Sequence, residues 1–309
     1  MDTSFVPPSR GVLIECVRAA TTAPSLHNSQ PWLFRVDPPA IEVVADAARR
    51  LPVIDPDGRE HLISVGAAVF TLRIALARAG YSVRTELLPP PVCARVIAGF
   101  PRHADAVTEA LAAAIPHRHT NRWPFAQVAV PADALARLRA AARQEGAFLN
   151  VADPAGRDAI LGLARAADGW LRERPHYAEE IARWTGRNAR HDGVPEWAAG
   201  PWDALEVMPV RDFVASPGAR VPFEPHPTVL VLSTQEDTPL DWLRAGQALQ
   251  RVLLTATLLG LAATPISQPV EVPSVRVQLT RRKAQMVIRV GYGRVAGRSP
   301  RRPLSEVLI

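Results

Sequence analysis

The sequence predicts an α+β fold assembled from two similar halves, residues 1–113 and 114–309, and three observations carry that expectation. An apolar helix pattern that stops at glycine and leads into a short strand and a proline occurs twice, as "SVGAAVFTLRIALARAGYSVRTELLPPP" from Ser64 to Pro91 and as "RAGQALQRVLLTATLLGLAATPISQP" from Arg244 to Pro269. Set 180 residues apart, Gly66 falls on Gly246, Ala68 on Ala248, Gly80 on Gly260 and Pro89 on Pro269. A helix, loop and strand precede each copy, "VLIECVRAATTAPS" before "WLFRV" and "DALARLRAAARQEG" before "AFLNV".

The elements follow in order. A helix from Val12 breaks at the loop "TTAPSLHNSQP", and an apolar strand begins at Trp32. Gly80 and Gly260 sit where a left-handed residue ends a helix, and the prolines that follow end the strands. Pro116, Pro124 and Pro131 punctuate "AAAIPHRHTNRWPFAQVAVP", the join of the halves. The second half carries an insertion from about 155 to 221, rich in Trp and Arg, that reads as helices plus a long irregular segment. It is either a lid or a structural cap. The strands "PTVLVLST" and "AQMVIRV" flank the second long helix.

Composition narrows the function classes. The chain has 309 residues, 48% apolar and 21% charged, an ordinary globular balance with material for a sizeable core. Its two cysteines, Cys16 and Cys93, lie far apart, which argues against a disulfide framework and for a reducing compartment. "MDTSFVPPSRGV" lacks the basic start and apolar run of a signal peptide, and "VLLTATLLGLAATPI" is short for a bilayer. A cytoplasmic protein without membrane association is expected. The net charge is +6, with Lys283 the single lysine, so the positive charge is arginine without a long basic run. Aromatics are 6% and do not alternate with basic residues, which speaks against nucleic acid. Arginine also holds phosphate bidentately.

Three motifs carry candidate chemistry. "TTAPSLHNSQPWLF" packs Ser25, His27, Asn28, Ser29 and Gln30 into six residues, a surface loop or a polar edge for a flat heteroaromatic ligand. "PHRHTNRW" places Arg118 and Arg122 around His119 and Thr120, so that two guanidiniums and a hydroxyl could meet one phosphate; a solvated basic turn is the alternative. His117 and His119 have no further ligands at usable spacing, so no metal is expected. "RVGYGRVAGRSPRRPL" mimics a dinucleotide fingerprint, but its glycines are spaced one residue too far and Pro300 and Pro303 stand where the helix should run. What remains is a basic cluster of Arg298, Arg301 and Arg302, either phosphate contacts or a solvated tail.

Together these motifs and the helix ending "GLAATPI" resemble the flavin-dependent nitroreductase superfamily and, within it, the Acg-like FMN-binding branch. The resemblance covers nearly the whole chain, with "SLHNSQPW" as its sharpest motif. It implies a nitroreductase-like fold and explains the two halves. Ordinary nitroreductases place each FMN between two subunits, whereas here the phosphate-type motif stands only in the second half and the Asn-type loop only in the first. An intramolecular pseudo-dimer around one flavin, and a monomer in solution, are therefore implied.

Carried over by resemblance, Arg118, Thr120 and Arg122 hold the FMN phosphate with Arg302 and Arg301 assisting. Ser25, His27 and Asn28 face the isoalloxazine, and Pro265, Ile266 and Ser267 run beside it. His119 and Gln30, inside the same motifs, count with the cofactor-binding set. No side chain is assigned a catalytic role, because the flavin carries the chemistry. The family's Pro-Ile-Glu-Gly reads Pro265-Ile266-Ser267-Gln268 here, and the middle serine of its phosphate motif is Thr120. The implied activity is NAD(P)H-dependent reduction of nitroaromatic or quinone-like acceptors; the alternative is an FMN-sequestering or sensing protein whose flavin is covered by the insertion.

Overall fold

Two long helices cross at the centre of the protein. The computed structural model describes residues 6–186, 191–211, 213 and 219–309. The first five residues of the stretch "MDTSFVPPSRGV", on which the targeting expectation rests, and parts of the 155–221 insertion lie outside the described residues. The central helices are α2 (Arg59–Arg78) and α7 (Pro239–Leu258), and both are buried on almost every face. A helix apolar all round belongs in a core. α2 is long and apolar enough to cross a membrane, but 78% of the qualifying window is buried inside the protein, against α7 and the first sheet.

Each central helix serves one four-stranded antiparallel sheet. The first half contributes α1 (Arg10–Ala20), β1 (Trp32–Asp37), β2 (Ala40–Ala45), β3 (Tyr81–Leu87), β4 (Ala94–Pro101) and α3 (Ala106–Ala114). The second contributes α4 (Ala132–Gln144), β5 (Phe148–Val151), α5 (Pro154–Arg172), α6 (Tyr177–Arg183), β6 (Thr228–Thr234), β7 (Ala262–Ile266) and β8 (Lys283–Gly291). The strand orders are β1-β2-β4-β3 and β5-β6-β8-β7, the same order once the second set is renumbered from its own first strand. Both long helices close alike: Gly80 has φ +96° and Gly260 φ +69°, the left-handed region that glycine enters at no steric cost. α7 starts on a capping box, with Thr238 and Asp241 each accepting the other's backbone N–H and Pro239 at the first position.

The sheets differ in their outer faces. β4 alternates buried and half-buried residues, as a strand with one open face does. β6 and β8 are buried on both faces, because the insertion lays α5 across the second sheet. Ile160, Leu161 and Ala164 pack there on Val229, Val231, Ile266 and Val287. α6 then reaches the first half, where the Glu180 carboxylate accepts the N–H groups of Val53 and Ile54 at 3.1 and 2.9 Å. The chain after α3 runs extended beside β7, bridging Thr120 to Ala263, and the C-terminal arm returns to β1, bridging Leu308 to Phe34.

Candidate functional site

A cleft opens where the two halves and the insertion meet, with about 930 Å³ of empty space counting its mouth. The first half supplies Ser25 and His27 from the loop after α1, and Ser64 from α2. The second supplies Thr120 and Arg122 from the extended run and Thr264 to Gln268 from the end of β7. The insertion roofs it with Met208 to Arg211 and Phe213.

The loop is shaped by its own hydrogen bonds. Ser25 Oγ accepts the Gln30 N–H at 2.9 Å, and Ser64 Oγ accepts the Leu26 N–H at 3.1 Å while donating to Glu60 O. His27, Asn28 and Gln30 have φ of +48°, +56° and +50°, a buried cluster of left-handed residues that only a well-tied loop sustains. The His27 ring meets Phe213 edge-on at 5.3 Å, and both its nitrogens are buried without a partner. Burial, then Arg211 and Arg122, hold its pKa well below 6.5, so the imidazole is neutral and keeps one donor and one acceptor for a ligand.

The motif "HRHTNR" divides between two ends. Arg118 donates to Thr22 O at 3.0 Å, and Arg301 donates to the same oxygen at 3.1 Å. The Nε atoms of both are buried without a partner, and among the described residues no carboxylate pairs with either guanidinium. Burial and the nearby Arg301 bring the Arg118 pKa down to about 9, and burial brings Arg301 to about 10. Half-buried His119 is lowered to about 4 by burial and then by Arg118, Arg298 and Arg301. Such a nest of cations, stripped of water and unpaired, is costly unless an anion enters it. Arg122 points the other way, into the cleft, with its guanidinium 5.0 Å from the Phe213 ring and one bond to Ala198 O at 2.9 Å. Burial and then Arg211 lower its pKa to about 10.

Of the residues singled out in the sequence, the cleft gathers Ser25, His27, Thr120, Arg122, Pro265, Ile266 and Ser267. Arg118, His119 and Arg301 form the cationic nest. Gln30 and Arg302 line neither, and Asn28 touches the nest only through Arg301, at 2.9 Å. Arg302 bonds Gln30 O at 3.1 Å and Glu306 O at 2.6 Å, while its N–H reaches Gln30 Oε1 at 2.8 Å. Gln30 Nε2 donates to His191 O at 2.8 Å. These side chains fasten the C-terminal arm and the insertion to the loop.

Residues that sequence reasoning missed come mostly from the insertion. Arg211, fully buried, bonds both oxygens of Glu271 at 2.7 and 2.6 Å, Tyr177 Oη at 3.0 Å and Ser267 Oγ at 3.3 Å. Arg289 forms a second buried pair with Glu224 at 2.6 Å beneath the cleft. The Trp- and Arg-rich composition pointed to the insertion without singling out a position.

A cationic nest beside an apolar cleft, shared by two half-structures of identical strand order, defines a ligand site built jointly by two sheet-and-helix units. Comparison with known proteins identifies the class: the chain belongs to the NAD(P)H nitroreductase family. It is 34% identical over 326 residues, spanning 100% of this chain and 93% of the relative, to a Mycobacterium tuberculosis protein named "Putative NAD(P)H nitroreductase". It is 31% identical over 316 residues, 96% of this chain and 95% of the relative, to "Putative NAD(P)H nitroreductase acg" of the same organism. No family model matches the chain. Among solved structures it is similar to the FMN-dependent nitroreductase NfnB of Mycobacterium smegmatis in complex with NADPH, at 18% identity and TM-score 0.41, covering 65% of this chain and 97% of that one. It is also similar to a nitroreductase with bound FMN from Bacteroides fragilis, at 16% identity and TM-score 0.37, covering 65% and 95%.

Proposed function

We propose that the chain is a flavoprotein holding one FMN between its halves, and an oxidoreductase that takes hydride from NAD(P)H and reduces nitroaromatic or quinone-like acceptors. The observation that carries the reading is the pair Arg118 and Arg301, two buried guanidiniums sharing Thr22 O and lacking any carboxylate among the described residues. A phosphate supplies the missing countercharge and accepts their free Nε–H groups. The names of the relatives, which refer to NAD(P)H, and of the similar structures, which refer to FMN and NADPH, support the cofactor and donor.

FMN, when bound, supplies the redox chemistry. Arg118 and Arg301 would hold its phosphate, with neutral His119 donating beside them. Thr120 and Arg122, at alternate positions of the same extended run, lead from that end into the cleft. At the ring end, neutral His27 and Ser25 offer polar contacts to one edge, and Pro265 to Ser267 supply backbone and hydroxyl groups on the other side. Arg211, its charge balanced by Glu271, would hold a rigid guanidinium in the cleft wall beside Ser267 Oγ at 3.3 Å, where it could donate to a bound ligand. Met208 to Arg211 and Phe213 exclude water.

The roof also favours the second reading, an FMN-sequestering or sensing protein whose flavin is covered and does not turn over. Phe213 is 6% exposed and touches both His27 and Arg122, the two side chains that would face the ring end of a bound flavin. The insertion therefore acts as a lid through its last part and as a structural cap through α5. The matching strand orders support an internal duplication with a boundary near 113/114, and a chain that has joined both halves internally is expected to be monomeric; its two free cysteines, Cys16 and Cys93, fit a reducing, cytoplasmic location. The test is the visible spectrum of the purified protein before and after anaerobic NADPH. Flavin bands released on denaturation support the cofactor, and bleaching within seconds supports the enzyme; a colourless protein that takes up no FMN contradicts both.

A further inference from the structure

We infer that Asn28 is a positioning residue that couples the phosphate end of the site to the strap at residues 191–211, so that the roof over the cleft responds to the phosphate of the ligand; the inference rests on the FMN reading. The Asn28 amide is fully used, and none of its bonds goes to the cleft. Its Oδ1 accepts from Arg301 Nη1 at 2.9 Å, and its two Nδ2 hydrogens go to Gly193 O at 2.9 Å and Pro300 O at 3.1 Å. The Gly193 N–H returns to Asn28 O at 3.2 Å, which closes a reciprocal clasp between loop and strap.

Asn28 is 8% exposed and sits at φ +56°, a conformation asparagine tolerates better than most side chains. Asp at this place would lose both donors and set against Arg301 the carboxylate that the nest otherwise lacks, while Gly would keep the backbone and lose all three bonds and Ser would be too short to span them. Among the described residues every other acceptor of Arg301 is a backbone carbonyl, of Thr22, Ala23, Ser299 or Pro300. Asn28 is thus the side chain through which Arg301 touches the strap. Farther along, the strap is seated on Arg122: Ala198 O accepts its guanidinium, and a Cβ on Gly200 would stand 2.5 Å from Arg122 O. One amide therefore joins the arginine of the phosphate end to the strap at Gly193, and the same strap meets the arginine of the ring end at Ala198 and Gly200.

Hydrogen exchange at residues 193–200 tests this, comparing the protein alone, with FMN, with riboflavin and with inorganic phosphate. FMN and phosphate are expected to slow exchange there about fivefold or more relative to riboflavin, the effect of firming one or two hydrogen bonds. Asn28→Gly and, independently, Asn28→Ser are expected to abolish that difference while each variant still binds FMN more tightly than riboflavin through Arg118. Equal protection by FMN and riboflavin in the native chain, or a difference that survives in either folded variant, overturns the coupling. A chain that binds neither FMN nor phosphate overturns the FMN reading and the coupling with it.

Discussion

Gly66 lies against Gly246 where α2 crosses α7. A Cβ on Gly66 would stand 2.2 Å from Leu243 O and 3.1 Å from Gly246 Cα; one on Gly246 would stand 2.0 Å from Ile63 O and 2.8 Å from Gly66 Cα. Ile63 and Leu243 are separated by the same 180 positions as the two glycines. The contact is reciprocal, as it would be across a two-fold axis between subunits. Two helices that touch backbone to backbone need a residue without a side chain on each, which is why glycine stands inside two otherwise apolar helices despite its low propensity.

Gly66→Ala or Gly246→Ala is therefore expected to destabilise the protein by about 2–4 kcal/mol, since neither carbonyl can move without its helix. Gly169→Ala, in α5 with nothing within 4 Å of the added Cβ, should be neutral or stabilising by up to about 1 kcal/mol. Urea unfolding of the three variants checks this; equal midpoints would mean that the crossing is looser than described.

Arg118→Ala and Arg301→Ala each remove a charged partner of the proposed phosphate, a contact of about 1.5–3 kcal/mol. FMN affinity should fall about tenfold or more, and riboflavin affinity should change little. Titration of both ligands by flavin fluorescence separates this from a role in the fold, where both affinities would fall together.

The ligand-free protein should lose stability in mild acid. Burial holds His27 well below 6.5 and, with smaller contributions from neighbouring arginines, brings His61 and His119 to about 4. Between pH 6.5 and 4 the unfolded chain binds protons that these folded imidazoles refuse, so their contribution to stability is full above about 6.5 and drains as pH falls through that window, offset in part by Glu60, whose carboxyl pKa is raised by burial to about 8. Urea midpoints at pH 7, 5.5 and 4.5 should decline in that order, and His61→Gln should shallow the decline. A flat profile would mean that these imidazoles are solvated.

Hydride transfer needs the donor carbon about 3–3.5 Å from its acceptor, so Phe213 in the roof should slow NADPH. Flavin reduction by NADPH is expected to be slow beside photoreduction, and Phe213→Ala should speed the first without changing the second. Deleting the insertion would be the wrong test, because Ile160, Leu161 and Ala164 of α5 belong to the core. Stopped-flow bleaching of the native chain within milliseconds would contradict the covered cleft.

Much of the frame was legible in residue order. The glycine stops at 80 and 260, the strand after each and the echo before them all correspond to observed elements, because helix period and glycine chirality act locally. β2, β4 and α3 went unread, since short mixed segments acquire their structure from the sheet and helices they pack on. The site was legible as motifs and not as geometry. Ser25, His27, Thr120 and Arg122 do meet in one cleft, whereas Asn28, Gln30 and Arg302, which share the same motifs, bond the C-terminal arm and the insertion. Arg211 and Phe213 had no local signal, because their place depends on where a long irregular segment comes to rest.

The most direct measurement of the central claim is the binding stoichiometry of FMN to the purified, monodisperse chain, by spectral titration of apoprotein. One chain contributing the Arg118–Arg301 nest from one side and the Ser25–His27 loop from the other predicts one FMN per 33.5 kDa monomer. Two FMN per chain, one FMN per two chains, or no binding at all would contradict a single site built within one polypeptide.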